Sequence, residues 1–257
     1  MIVLFDIDGV IRDVGGSYRR ALADTVEHFT QGQFRPTPEE IDALKGEGCW
    51  NNDWEASQEF TYRYFEAQGQ SRSDIPLPYT EIVDFFQSKY RGEQAQSDGS
   101  LQWTGYICDE PLLAEKAYFE QLTAAHVGWG FFSGATNGSA TFVLQERLGL
   151  DNPLLIAMDD APGKPDPAGM FLALERLGLP EEHPVIYVGD TVADMYTIVR
   201  ARAVQPDRRW IAVGVLPPHV QDGGDRQTQY VEILKQAGAQ IVLSNVQELT
   251  PELMATV

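Results

Sequence analysis

The chain has 257 residues, 43% of them apolar and 22% charged, which is the composition of a globular protein. Its formal net charge of −19 excludes binding through a nucleic-acid backbone or an anionic membrane surface. An anionic ligand on such a chain needs local cations, either a metal ion or selected Lys and Arg side chains. Cys49 and Cys108, with no CxxC pair, fit neither a disulfide framework nor a zinc cage. No apolar run approaches the ~18 residues of a spanning helix. The first run, Met1–Phe5, is too short for a signal peptide and lacks a basic flank. The expectation is a cytoplasmic protein with no membrane and no nucleic-acid partner.

In chain order, residues 2–5 read as a buried strand, followed at once by Asp6-Ile7-Asp8-Gly9-Val10. Ser17 precedes a helical pattern over Tyr18–Phe29, with Leu22 and Val26 at helical spacing. Thr37 and Pro38 open a second helix that ends near Gly46. A third carries Phe60, Tyr64 and Phe65, and a fourth runs from Thr80 to Tyr90. Gly92–Gly99 reads as a return linker, and Leu101–Cys108 is ambiguous. A helix over Pro111–Leu122 precedes a strand ending in Phe132. Helices over 140–148, 168–177, 193–201 and 227–236 then alternate with strands over 153–157, 185–188, 211–215 and 241–243. This alternation is the signature of a doubly wound α/β sheet. The first strand must join that sheet, because it cannot be buried alone. The pattern therefore predicts an α/β core made of residues 1–14 and 93–257, with an all-helical domain over 15–92 inserted into it.

Chemistry-bearing residues fall where strands end. Asp6 and Asp8, two apart, share one side of a strand end. Ser133 directly follows the strand ending in Phe132, and Gly134 lets a backbone N–H approach an anion. Lys164 lies in Gly-Lys-Pro-Asp-Pro after the next strand. Asp190 ends the strand after that, and Asp194 lies one helical turn further on. Singly, each has a bland reading: capping aspartates, a turn serine, a solvated lysine. In an open parallel sheet, however, ligands bind at the carboxyl ends of the strands. Four such positions in succession point to one site.

These residues resemble the haloacid dehalogenase-like superfamily, in the branch with a helical cap. Asp6-Ile7-Asp8-Gly9-Val10 matches its DxDGV/T motif, Ser133 its Ser/Thr motif, Lys164 its lysine motif, and Gly189-Asp190 with Asp194 its GDxxxD motif. Thr136-Asn137 offers an alternative second motif, but Thr136 lies three residues beyond the strand. The resemblance implies a Rossmann-like core with an inserted helical cap domain, and a phosphatase that uses Mg²⁺. Asp6 and Asp190 would then supply carboxylate ligands and Asp8 its backbone carbonyl. Asp194 would support the metal shell or Lys164. Asp6 would attack phosphorus and form an aspartyl-phosphate, and Asp8 would serve as acid and base. Ser133, Gly134 and Lys164 would hold the phosphoryl oxygens.

The leaving group falls to the cap. Lys45, Asn51 and Asn52, in the polar turn Lys45–Trp54, suit a hydroxylated ligand, and Arg12 stands where relatives have a small or apolar residue. Arg12 is expected either to meet a second anionic group on the substrate or to pair with Asp13. The expected partner is a small phosphorylated metabolite, a sugar phosphate or phosphoglycolate-like. Capped phosphomutases share every motif named. A phospho-acceptor module would be about half this length, without the long insertion.

Overall fold

A computed structural model describes residues 1–47, 50, 52–95, 101–180 and 182–257. The chain divides into two compact units, one of Met1–Asp13 with Pro111–Val257, the other of Val14–Glu110.

Strand β1 (Ile2–Phe5) is fully buried at all four side chains. The second unit follows. Its α1 (Tyr18–Phe29) buries Leu22 and Val26, as the spacing predicts. Ser17 precedes α1 without capping it; its hydroxyl donates instead to the Glu110 carboxylate. Thr37 and Glu40 form a reciprocal capping box that starts α2 (Pro38–Gly46), with Pro38 at the first helical position. Helix α3 spans Asp53–Ala67 and α4 spans Tyr79–Tyr90. Ile75, Leu77 and Ile82 pack together with Phe29, Trp54, Tyr62 and Phe65. Tyr18 stacks on Tyr90 at 4.4 Å between ring centroids.

One expectation about this unit needs correction. Within residues 15–92 its described elements are all helical, as predicted, but beyond them β2 (Glu93–Ala95) pairs antiparallel with β3 (Leu101–Trp103). This hairpin also belongs with the helices, so the insertion ends at Glu110 and not at residue 92. The reason is backbone bonding to the end of α4. Thr104 N and Gly105 N donate to Arg91 O at 2.9 and 2.7 Å. Gly92 and Gly105 approach so closely that a Cβ on Gly92 would stand 2.6 Å from Gly105 N.

In the first unit α5 (Lys116–Ala124) starts at Lys116, later than the sequence suggests. The residues from Pro111 are taken up in bonds to the N-terminal segment: Asp13 N donates to Pro111 O at 2.8 Å and Leu113 N to Ile11 O at 2.7 Å. Then follow β4 (Gly128–Phe132), α6 (Asn137–Thr141) continued by a wider π turn, β5 (Leu155–Ile156) and α7 (Ala168–Leu177). Gly178, at φ +61°, stops α7 in the left-handed region. The unit continues through β6 (Val185–Gly189), α8 (Val192–Val204), β7 (Trp210–Val215), α9 (Asp225–Gln236), β8 (Ile241–Leu243) and α10 (Pro251–Met254).

The six core strands form one parallel sheet in the order β5-β4-β1-β6-β7-β8, a Rossmann-like α/β fold with β1 between β4 and β6. Successive side chains of a strand face opposite sides. Ile2 and Leu4 join Tyr187, Trp210 and Ala212 in a cluster with Met170 of α7, Ile198 of α8 and Leu234 of α9. Phe5 packs instead against Tyr118 and Phe119 of α5. The chain builds outward through β4 and β5, then returns to the other side of β1 at β6. That reversal is the switch point at which such sheets bind ligands. No helix among the described residues is long and apolar enough to cross a membrane.

Phe119 is fully buried, with the rings of Trp129 and Phe131 at 5.1 and 5.5 Å. Phe119→Ala is expected to cost about 3–5 kcal/mol, read from the midpoint of urea unfolding.

Candidate active site

Three strand ends and one loop meet at the switch point. Asp6 follows β1, where its N–H donates to Val188 O of β6 at 2.8 Å. Ser133 follows β4, where its N–H donates to Ile156 O of β5 at 3.0 Å. Asp190 follows β6. Lys164 comes from the loop between β5 and α7.

Lys164 joins these elements. Its Nζ lies 2.8 Å from Asp6 Oδ2 and 2.6 Å from Asp194 Oδ1. The ammonium also faces the rings of Phe132 and Tyr187, 5.9 and 5.7 Å from their centroids. Burial works against its charge, but Asp194 and Asp6 outweigh that and hold its pKa well above the usual lysine value. Lys164 therefore stays cationic.

Asp194 is committed on both oxygens. Oδ2 accepts from Thr191 N at 2.9 Å and from the Thr191 hydroxyl at 2.6 Å. Asp194 N donates back to Thr191 Oγ1, closing a capping box at the start of α8. Oδ1 takes Lys164, and the Tyr187 hydroxyl lies 3.2 Å away. Asp194 is thus a fixed support for Lys164.

Asp6 is not committed in this way. Its Oδ1 is buried and has no hydrogen-bond partner among the described residues. Burial pushes its carboxyl up to about 7, against the pull of Lys164. The Asp190 carboxyl is pushed well up too, first by burial and then by Asp194 and Asp6. Carboxylate oxygens of Asp6, Asp190 and Asp194 lie within 4.8 Å of one another. A buried carboxylate oxygen lacking a donor, beside two further carboxylates, is a hard-oxygen set that fits a divalent cation.

Two glycines make the gathering possible. Gly9 has φ +74°, and a Cβ there would stand 2.0 Å from Asp190 Oδ2. A Cβ on Gly189 would stand 2.3 Å from Asp194 Cβ. Gly134 differs, since the space a side chain would fill there is open to 4 Å among the described residues.

The sequence-derived residues divide clearly. Asp6, Lys164, Asp190 and Asp194 come together as a cluster. Ser133 is buried at the end of β4, with its Oγ accepting from Ala135 N at 3.1 Å. Thr136, its rival, caps α6 by accepting from Ser139 N. Asp8 follows in the same loop as Asp6, and Arg12 donates to it from Nε at 2.7 Å. Arg12, expected either to meet a substrate anion or to pair with Asp13, is fully buried and bound to Asp8. In the second unit Lys45 Nζ lies 2.7 Å from Asp53 Oδ1. Asn52 caps α3, accepting from Trp54 N at 2.9 Å. Both therefore have local structural work in the α2–α3 turn, and Asn51 lies outside the described residues. Sequence reasoning missed Thr191 and Tyr187. A Thr three residues before an acidic residue at a helix start was a readable capping signal, and a tyrosine within a central buried strand needs a partner for its hydroxyl.

Comparison with known proteins supplies the family. The family model of the haloacid dehalogenase-like hydrolases matches residues 1–202, and the chain belongs to that family. It is similar over 98% of a hydrolase from Pseudomonas syringae, with 99% of this chain covered, 19% identity and a TM-score of 0.65. A HAD family hydrolase from Deinococcus radiodurans R1, solved with bound phosphate and sodium, has a TM-score of 0.64 at 18% identity, covering 99% of this chain and 95% of its own. At these identities the likeness is one of fold. In sequence the chain is 31% identical over 249 residues to an imidazoleglycerol-phosphate dehydratase of Phytophthora nicotianae, covering 94% of this chain. It spans about half (50%) of that relative's length.

Gly9→Ala is expected to destabilise the fold by about 1–2 kcal/mol from the left-handed backbone alone, and by more from the clash with Asp190. Thermal unfolding checks it, with Gly134→Ala, at an open position, as the mild comparison.

Proposed function

We propose that the protein is a Mg²⁺-dependent phosphatase acting on a small phosphorylated metabolite through an aspartyl-phosphate on Asp6. The observation that carries this reading is the pairing of a buried Asp6 Oδ1, which has no partner among the described residues, with a Lys164 ammonium 2.8 Å from the other oxygen of the same carboxylate. One oxygen is left for a cation, and the carboxylate as a whole is held in place.

In this reading Asp6, Asp190 and the Asp8 backbone carbonyl hold Mg²⁺, which when bound offsets the charge of the phosphoryl group. Asp6 attacks phosphorus as the alcohol departs, and Asp8 gives that alcohol its proton. Asp8 then takes a proton from the water that cleaves the aspartyl-phosphate. Lys164, Ser133 and the Gly134 N–H bind the phosphoryl oxygens, so positioning and electrostatics do most of the work. Asp194 keeps Lys164 in place. The second unit serves as the cap, and its α2–α3 turn with Lys45, Asn51 and Asn52 selects the leaving group. A sugar phosphate or a phosphoglycolate-like acid suits it. An imidazole-bearing glycerol phosphate joins the panel because of the Phytophthora relative.

Two experiments test this reading. Millimolar Mg²⁺ is expected to raise Tm near pH 8 and to raise it less near pH 6. The sign follows from Asp6: with its carboxyl pushed up to about 7, protons compete with the cation below that pH. An equal or larger rise at the lower pH would contradict the assigned ligands. On a panel of phosphomonoesters, Asp6→Asn should abolish phosphate release with the fold intact, and Asp8→Ala should lower turnover by about 10²–10⁴-fold. Release of an isomerised phosphosugar in place of inorganic phosphate would make the enzyme a mutase.

A further inference from the structure

Arg12 is an unusual residue for its place. It is a fully buried cation in a loop whose Ile7, Val10 and Ile11 are also fully buried. Its backbone is fixed on both sides. Arg12 O accepts from Gly9 N at 2.9 Å, Arg12 N donates to Ile7 O at 3.2 Å, and Arg12 bridges antiparallel to Leu112. Its guanidinium reaches back to Asp8. Nε donates to Asp8 Oδ1 at 2.7 Å, and Nη2 lies 2.6 Å from the same oxygen. Both nitrogens thus hold one carboxylate oxygen, and the Asp8 side chain keeps 29% of its surface exposed.

We propose that Arg12 is a positioning residue for Asp8. Its side-on grip on Oδ1 fixes the carboxylate's rotation, so that Oδ2 is the oxygen that handles the proton. This rests on the phosphatase reading of Asp8 given above. The proton on Oδ2 passes to the leaving oxygen as its bond to phosphorus breaks and the Asp6–phosphorus bond forms. In the second step Oδ2 takes a proton from water as the water–phosphorus bond forms and the Asp6–phosphorus bond breaks. A guanidinium suits the task because its planar fork sets an angle as well as a distance, which a lysine ammonium does not. A rotation that displaces the proton-carrying oxygen is costly at this kind of site.

A merely structural Arg12 would affect all substrates alike. An Arg12 that acts through Asp8 affects only those whose leaving group needs a proton. The test compares kcat/KM for glycerol phosphate, whose alkoxide leaves badly, with that for 4-nitrophenyl phosphate, whose phenolate leaves without help. The ratio of the two within one preparation is independent of how much of the sample is folded. Arg12→Lys and Arg12→Gln should each lower the glycerol phosphate to nitrophenyl phosphate ratio by about tenfold or more. In an Asp8→Ala background, Arg12→Lys should leave that ratio unchanged, because the group it positions is gone. An unchanged ratio in the single variants, or a further drop in the double variant, would overturn the role assigned to Arg12. If Asp8→Ala alone leaves glycerol phosphate turnover at the level of the unmodified protein, the reading of Asp8 fails, and this inference fails with it.

Discussion

The site depends on one ammonium group. The sheet brings Asp6, Asp190 and Asp194 to a single switch point in a chain whose net charge is already −19. Buried carboxylates at such separations repel one another, and each loses hydration. Lys164 relieves this from a position between Asp6 and Asp194, with two aromatic rings closing its other side. Its compensation is partial. The pKa of Asp6 and that of Asp190 both remain raised, which leaves the cluster short of positive charge. A site poised in this way is selective for whatever brings the missing charge.

Precision in that cluster comes from the backbone. Gly9 and Gly189 are each placed where any Cβ would collide with an aspartate side chain. Carboxylates approach the main chain directly at both points. The Thr191–Asp194 capping box ties the start of α8 to the same group that holds Lys164. The helix start and the lysine anchor therefore share one residue, and neither can shift alone.

Much of this was legible in the sequence. Strand and helix positions from β4 to β8 follow from apolar runs alternating with helical spacing, and Gly178 marks the stop of α7. Asp6, Lys164, Asp190 and Asp194 were legible together because each stands at a strand end or in the loop or helix turn that follows one. What could not be read depends on long-range pairing. The β2–β3 pair is short, with no clear apolar alternation, and its attachment to α4 runs through backbone bonds at Thr104 and Gly105 that periodicity does not reveal. The later start of α5 has the same origin, since Leu113 is taken up by Ile11 from the far end of the sequence. For Arg12 the sequence offered Asp13 or a substrate anion as partner, whereas the folded loop brings it onto Asp8, four residues back. Its partner, Asp8, was already assigned a task of its own.

The position of β1 has a consequence for the birth of the protein. Its partners in the sheet are β4, beginning at Gly128, and β6, beginning at Val185, both far later in the sequence. Ile2-Val3-Leu4-Phe5, fully buried in the finished sheet, emerges long before either neighbour exists. The helical unit lies between, with an apolar cluster of its own, and can condense while β1 waits. The nascent chain therefore carries this short apolar run unpaired until β4 and β6 have been made. The strand at the switch point is thus closed on both edges only when the later half of the core has been made.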